Sequence, residues 1–112
     1  MGPFEPELCA RPKRRASLAY SRTERYPMAE FLVERYVSDA SVAENGAEQA
    51  RITATRMTRN GMPIRLVRSI FLPEDETSLL LFEAASAEIV RETARNAGLS
   101  IDRIAEAIPE RR

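Results

Sequence analysis

The clearest pattern in the chain is a run of apolar, aromatic and β-branched residues over positions 31–37, which reads FLVERYV. This composition is typical of a β-strand, and the pattern predicts a first strand over about 29–37. The run nevertheless contains Glu34 and Arg35 in its middle. A charged side chain in an otherwise apolar strand must be paired, face a cavity or lie at an interface. These two residues are therefore the first candidates for a functional site.

A helical pattern follows the first strand. Ser41 and Glu44 have the spacing of a capping box, which places the helix N-cap at Ser41. Asn60 and Gly61 end the helix, because glycine readily takes the left-handed conformation, and Pro63 prevents its continuation. Small and apolar residues recur at spacings of three and four and predict one buried stripe. The stripe comprises Ala43, Ala47, Ala50, Ala54 and Met57.

The second half of the chain predicts a hairpin, a helix and a short last strand. Pro73 suits the start of the hairpin turn, and Ser86 suits the N-cap of the helix. A strand that is apolar on both faces, as at positions 79–82, is typical of a central strand. The predicted bounds are 64–72 and 77–84 for the hairpin strands, about 87–97 for the helix and about 103–108 for the last strand.

The predicted element order, β-α-β-β-α-β, is the order of the ferredoxin-like fold, an α+β sandwich. Right-handed crossovers place strands 1 and 3 in the centre of an antiparallel four-stranded sheet, with both helices on one face. The other face is then bare. An apolar bare face predicts a partner, most simply a second copy, and two such sheets would form a dimeric α/β barrel.

Strand alternation predicts which side chains share the open sheet face. If Leu72 pairs with Thr77, Arg68 lies opposite Leu81 and diagonal to Glu83. Arg35 falls on the helix side, where we expect it to extend towards solvent near the rim. The predicted open face consists of Leu32, Glu34, Tyr36, Leu66, Arg68, Ile70, Leu79, Leu81 and Glu83.

Four of these residues are candidates for a ligand pocket: Glu34, Tyr36, Arg68 and Glu83. Two close carboxylates, Glu34 and Glu83, would raise the pKa of one of them and serve as a general base, or bind a hard cation. Alternatively, Arg68 neutralises both glutamates and fixes the register of a dimer. Tyr36 on its own is more typical of interface packing than of catalysis.

Composition narrows the choice of function. The chain has 112 residues, which suits one domain, and a net charge of zero from 17 basic and 17 acidic residues. This balance gives no electrostatic reason to expect nucleic acid or a membrane surface as partner. With no histidine, imidazole metal sites and histidine-based catalysis are excluded. The single cysteine, Cys9, permits no internal disulfide, which suits the reducing cytoplasm.

The composition changes near Pro27. Residues 1–27 combine four prolines with a basic cluster and show no periodicity, which predicts a disordered extension before a domain over 28–112. Alternatively, translation begins at Met28, or the extension is a basic arm that binds an acidic partner. The basic residues are not followed by an apolar run, so we expect no secretory signal and no membrane-spanning helix.

Several short stretches of the core form a recognisable series: FLVERYV at 31–37, Arg68-Ser69, LPEDET at 72–77, LFEA at 81–84, NAGL at 96–99 and Asp102-Arg103-Ile104. In this series the core resembles a small bacterial family of domains of unknown function, which includes a nickel-binding ferredoxin-like protein. The resemblance covers about residues 30–108 and implies a cytoplasmic dimer without an assigned reaction.

The sequence therefore favours a small cytoplasmic homodimeric domain that is non-catalytic or binds a small ligand weakly. One alternative is a cofactor-independent monooxygenase or isomerase of the dimeric α/β-barrel type. Another is weak binding of a divalent cation through Glu34 and Glu83. We predict no cofactor, and nickel is not expected here, because nickel prefers imidazole and thiolate ligands and the chain has no histidine.

Overall fold

The computed structural model describes residues 28–110, and the expectations for residues 1–27 lie outside this range. The observed element order confirms the predicted succession, and both hairpin strands have the predicted bounds. The elements are β1 (Ala29–Tyr36), α1 (Ala40–Arg59), β2 (Ile64–Leu72), β3 (Thr77–Ala84), α2 (Ala87–Asn96) and β4 (Arg103–Ala107).

The four strands form one sheet in the order β2-β3-β1-β4, and every adjacent pair is antiparallel. This α+β arrangement is consistent with a ferredoxin-like fold, and β1 and β3 occupy the predicted central positions. Leu72 pairs with Thr77 and Arg68 with Leu81, as the hairpin register predicts. Both helices pack against the same sheet face, where Val33, Leu80 and Phe82 have no exposed surface.

The side of α1 that faces the sheet is formed almost entirely by small residues. This confirms the predicted alanine stripe, and it adds Gly46 and Thr53 to the buried set. Small side chains allow a helix to approach a sheet closely, so the core between α1 and the sheet is filled mainly by Phe31, Leu80 and Phe82. The buried residues of α1 are Ala43, Gly46, Ala47, Ala50, Thr53, Ala54 and Met57.

The N-cap of α1 is Asp39, two residues before the predicted N-cap Ser41. Asp39, with an extended backbone, accepts hydrogen bonds from the Ser41 backbone N–H at 2.8 Å and the Ser41 hydroxyl at 2.7 Å. These hydrogen bonds lower the pKa of the Asp39 carboxyl. A carboxylate at a helix N-terminus is favoured by the charge of the hydrogen bond and by the helix dipole, which explains why Asp39 replaces Ser41 as the cap.

A β-bulge in β2 changes one predicted face. The pairing of β2 with β3 shifts between Leu66 and Arg68, so that Val67 is the additional residue. Leu66 consequently lies opposite Phe82 and packs against the core. Its predicted place on the open face is wrong, because regular alternation was assumed along a strand that contains one extra residue.

Candidate functional site

The open sheet face carries two separate ion pairs. Glu34 on β1 accepts a hydrogen bond from the Arg103 guanidinium on β4 at 2.6 Å. Glu83 on β3 contacts the guanidinium of Arg65 on β2 at 3.0 Å. Both arginines are well exposed, so each pair contributes at most about 1 kcal/mol to stability.

The two glutamates do not meet in a common site. Glu34 pairs with Leu79 across β1 and β3, whereas Glu83 pairs with Glu30. Leu79 and Glu83 are four residues apart on one strand, which corresponds to about 13 Å. Two carboxylates must approach much more closely than this to act together, so the structure does not bring Glu34 and Glu83 into one site.

Arg68 lies on the edge strand β2 of the open face, opposite Leu81. Its side chain is exposed, and it forms no ion pair with another residue of the 28–110 segment. The two glutamates are therefore paired with Arg65 and Arg103, and not with Arg68 as predicted. Within the same segment, no group of three acidic or cysteine side chains lies close enough to hold a metal ion.

Tyr36 links the end of β1 to two other segments of the chain. Its hydroxyl donates a hydrogen bond to the Glu76 carboxylate at 2.7 Å, and its backbone N–H donates to Asp102 at 2.5 Å. Glu76 itself has a left-handed backbone with φ of 50°, and its carbonyl accepts from Val37 N–H at 2.8 Å. The arrangement makes Tyr36 a connector between the hairpin turn and the start of β4.

Replacing Glu76 by glutamine is expected to lower the pKa of Tyr36 towards its ordinary value. The hydrogen bond to Glu76, and secondly the negative charge of Glu76, raise that pKa. The contact therefore stabilises the fold fully below the ordinary tyrosine pKa of about 10, and this contribution is lost as the pH rises through the higher folded pKa. Ultraviolet titration of phenolate formation measures the shift, with Tyr36→Phe identifying its signal. An unchanged titration in Glu76→Gln would contradict the contact.

Arg35 was not among the predicted pocket residues, and its expected position near the rim is wrong. Only 9% of its surface is exposed, and its Nε and Nη1 atoms have no hydrogen-bond partner within the described chain. Burial lowers the pKa of the guanidinium, although the negative charge of Asp102 partly opposes this effect. The sequence signal that marks the position is Gly46 within the alanine stripe of α1, because a Cβ atom there would lie 2.5 Å from Nη1 of Arg35 and the guanidinium would have to shift.

Among residues 28–110, two open grooves lie on the helix side of the sheet. The larger, of about 760 Å³, runs between the N-terminal half of α1 and the β2–β3 hairpin, and is lined by residues that include Ser69, Phe71 and Ser78. The smaller, of about 490 Å³, lies between α2 and β4, beside Arg91, Arg95 and Arg103. Within residues 28–110, neither helix is long and apolar enough to cross a membrane.

Comparisons with known proteins agree with this architecture. The crystal structure of SCO4226 from Streptomyces coelicolor A3(2) superposes with a TM-score of 0.59 and 22% sequence identity, covering 74% of this chain and 100% of that chain. This similarity shows a shared fold. None of the curated proteins compared with the chain is significantly similar to it. The profile of a family described as "Nickel responsive protein SCO4226-like" matches residues 31–107. Because the match covers most of the chain, the protein belongs to the SCO4226-like family.

Proposed function

We propose that the protein is a cytoplasmic homodimer that binds a small ligand without catalysing a reaction, and that its open sheet faces form the dimer interface. The observation that carries the proposal is the apolar centre of this face. Leu32, Leu79 and Leu81 occupy the two central strands and are only partly buried, and no described element covers them. On β2, Ile70 is 43% exposed. Contiguous apolar surface of this kind is typical of protein interfaces.

The charged residues of the face support the same assignment. The Arg65–Glu83 pair lies at one corner and the Arg103–Glu34 pair at the diagonally opposite corner. An apolar centre with a polar margin is the usual anatomy of a protein interface. In a two-fold symmetric dimer, each corner would meet a corner of the partner, so these pairs would contribute to the register of the two sheets.

The enzyme alternative gains no support from the open face. General-base catalysis there requires a carboxylate that is free to accept a proton, but Glu34 and Glu83 are each engaged by an arginine. The name of the family refers to nickel. We propose that this chain does not bind nickel through its domain, because nickel prefers nitrogen and sulfur ligands and the chain contains no histidine.

Replacing Leu79 by glutamate tests the dimer. The new carboxylate would lie directly opposite Glu34 in the middle of the face, so it would be buried without a partner in the dimer but hydrated in the monomer. We expect the dimer dissociation constant to rise by about 100-fold or more, which is the effect of losing a central interface contact. Light scattering over a range of protein concentrations measures this change.

Ile52→Glu provides the control, because Ile52 is an apolar residue, 43% exposed, that lies on α1 and not on the open sheet face. It is expected to leave the dissociation constant unchanged, while circular dichroism verifies that both variants are folded. The proposal would be overturned by a wild-type protein that remains monomeric, or by a dimer that tolerates Leu79→Glu as well as Ile52→Glu.

A further inference from the structure

The most unusual group of the described chain is the guanidinium of Arg35. It lies on the helix side of β1, where only 9% of the surface of Arg35 is exposed. Two of its nitrogen atoms have no hydrogen-bond partner. Leaving buried donors unpaired is costly, and the cost is larger when the group is charged. Such a group needs either a compensating interaction or a function that justifies its position.

The nearest negative charge does not satisfy Arg35. Asp102 is close enough to influence the guanidinium electrostatically, but its carboxylate accepts the Tyr36 backbone N–H. No ion pair between Arg35 and Asp102 is formed in the described structure. Two donor atoms of Arg35, Nε and Nη1, are therefore left without an acceptor in the described structure.

The backbone of α1 passes directly over the guanidinium. A Cβ atom added to Gly46 would lie 2.5 Å from Nη1 of Arg35 and 3.2 Å from Cζ. A glycine within a helix lowers stability by about 1 kcal/mol relative to alanine. This glycine gives the guanidinium the space that a side chain would otherwise occupy.

The larger groove leads to the same position. Ser78 lines the groove and pairs directly with Arg35 across β3 and β1, on the same sheet face. Ala43 and Ala47 also line it, and they flank Gly46 on the buried side of α1. Directly opposite side chains on neighbouring strands lie about 5 Å apart, so Arg35 lies next to Ser78, just behind the wall of the groove, and is not itself one of the lining residues.

The charge and polarity of the residues around the groove indicate which class of ligand it can bind. Arg35 places a positive charge just behind its inner wall, and its sides are apolar at Ala43, Ala47 and Phe71. At the outer part, Glu44 is exposed, and Glu48 forms an ion pair with Arg51. A guanidinium matches the two oxygens of a carboxylate, whereas acidic residues near the mouth disfavour an anion of higher charge.

We propose that Arg35 binds the carboxylate of a small organic acid whose apolar part lies in the groove between α1 and the β2–β3 hairpin. Ser78 is placed to complete the polar end of this site. The proposal specifies the ligand class of the binding role proposed above. It does not rest on the dimer, because the groove lies on the helix side of the sheet.

Titration of the full-length, ¹⁵N-labelled protein with butyrate and benzoate tests the site. We expect saturable shifts of the backbone amides of Ala47 and Ser78, and no comparable shifts with butyramide, which has the same shape as butyrate but no charge. Inorganic phosphate is expected to bind more weakly than either carboxylate. The Leu79→Glu variant should bind as well as the wild type, which separates failure of this proposal from failure of the dimer.

Variants then locate the binding group. Arg35→Met is expected to weaken carboxylate binding at least tenfold, and Gly46→Ala should weaken it because the new Cβ displaces the guanidinium. Arg56→Met is the control, since Arg56 is an exposed arginine of α1 that does not line the groove. The proposal fails if neither carboxylate gives saturable shifts, if folded Arg35→Met or Gly46→Ala binds like the control, or if phosphate binds more tightly.

Discussion

Replacing Phe82 by alanine is expected to lower the free energy of unfolding by about 3–5 kcal/mol. Phe82 has no exposed surface and lies on the central strand β3, between Phe31 of β1 and Leu66 of β2. The small residues of α1 provide little volume to fill the resulting cavity. The decrease in the free energy of unfolding should therefore lie near the upper end of the range for a buried aromatic residue, because the surrounding residues cannot readily move into the cavity.

Denaturant unfolding measures this loss, and Ile52→Ala serves as its control. Ile52 is a large apolar residue that is 43% exposed on α1, so its truncation should cost less than about 1 kcal/mol. Because dimerisation would add to the apparent stability of the wild type, all variants must be compared at one protein concentration. A cost below about 2 kcal/mol for Phe82→Ala would mean that the core is not centred on this residue.

Replacing Gly46 by leucine is expected to destabilise the fold by about 3 kcal/mol through overpacking. The first side-chain atom alone would lie 2.5 Å from Arg35, and three further carbon atoms would have to enter the contact between α1 and the sheet. This loss should appear although leucine favours a helix by about 1 kcal/mol over glycine, because steric conflict outweighs the intrinsic preference.

A second substitution shows whether the guanidinium is the obstacle. Arg35→Ala removes the buried charge and leaves space below position 46. In the double variant, the leucine side chain can occupy the volume that the guanidinium leaves. We expect the double variant to recover to within about 1 kcal/mol of the wild type, which corresponds to a strong coupling between the two sites. If Gly46→Leu is equally harmful with and without Arg35, another neighbour causes the conflict.

Residue patterns predict most of this fold because they follow from burial and backbone geometry alone. The apolar run at 31–37 predicts a strand, and the periodic small residues of α1 predict a helix. Gly61 and Gly98 adopt the left-handed backbone expected at helix ends, with φ of 92° and 75°. The predictions fail where two local structures suit the same residues equally well. Asp39 and Ser41 are both good helix caps, and a strand with one extra residue at Val67 has the same composition as a regular one.

The arrangement of the candidate site is harder to predict, because it depends on which charged side chains pair across strands. The hairpin register places Arg68 opposite Leu81 correctly, but it does not reveal that Arg65 reaches Glu83 or that Arg103 reaches Glu34. Arg35 illustrates the same limit. Alternation assigns it to the helix side, but only the distance between α1 and the sheet determines whether the guanidinium reaches solvent.

The bulge at Val67 also affects how this protein behaves at high concentration. β2 is an edge strand, and its outer side has backbone hydrogen-bonding groups that a strand of another molecule could extend. An extra residue interrupts the regular spacing of these groups, and the exposed Arg65 and Arg68 place positive charge on either side of the interruption. At the opposite edge, β4 has only five residues and carries Arg103 and Glu106. Both edges thus oppose continuous sheet growth between molecules, so the protein can present an apolar sheet face for specific pairing without a matching tendency to form fibrils.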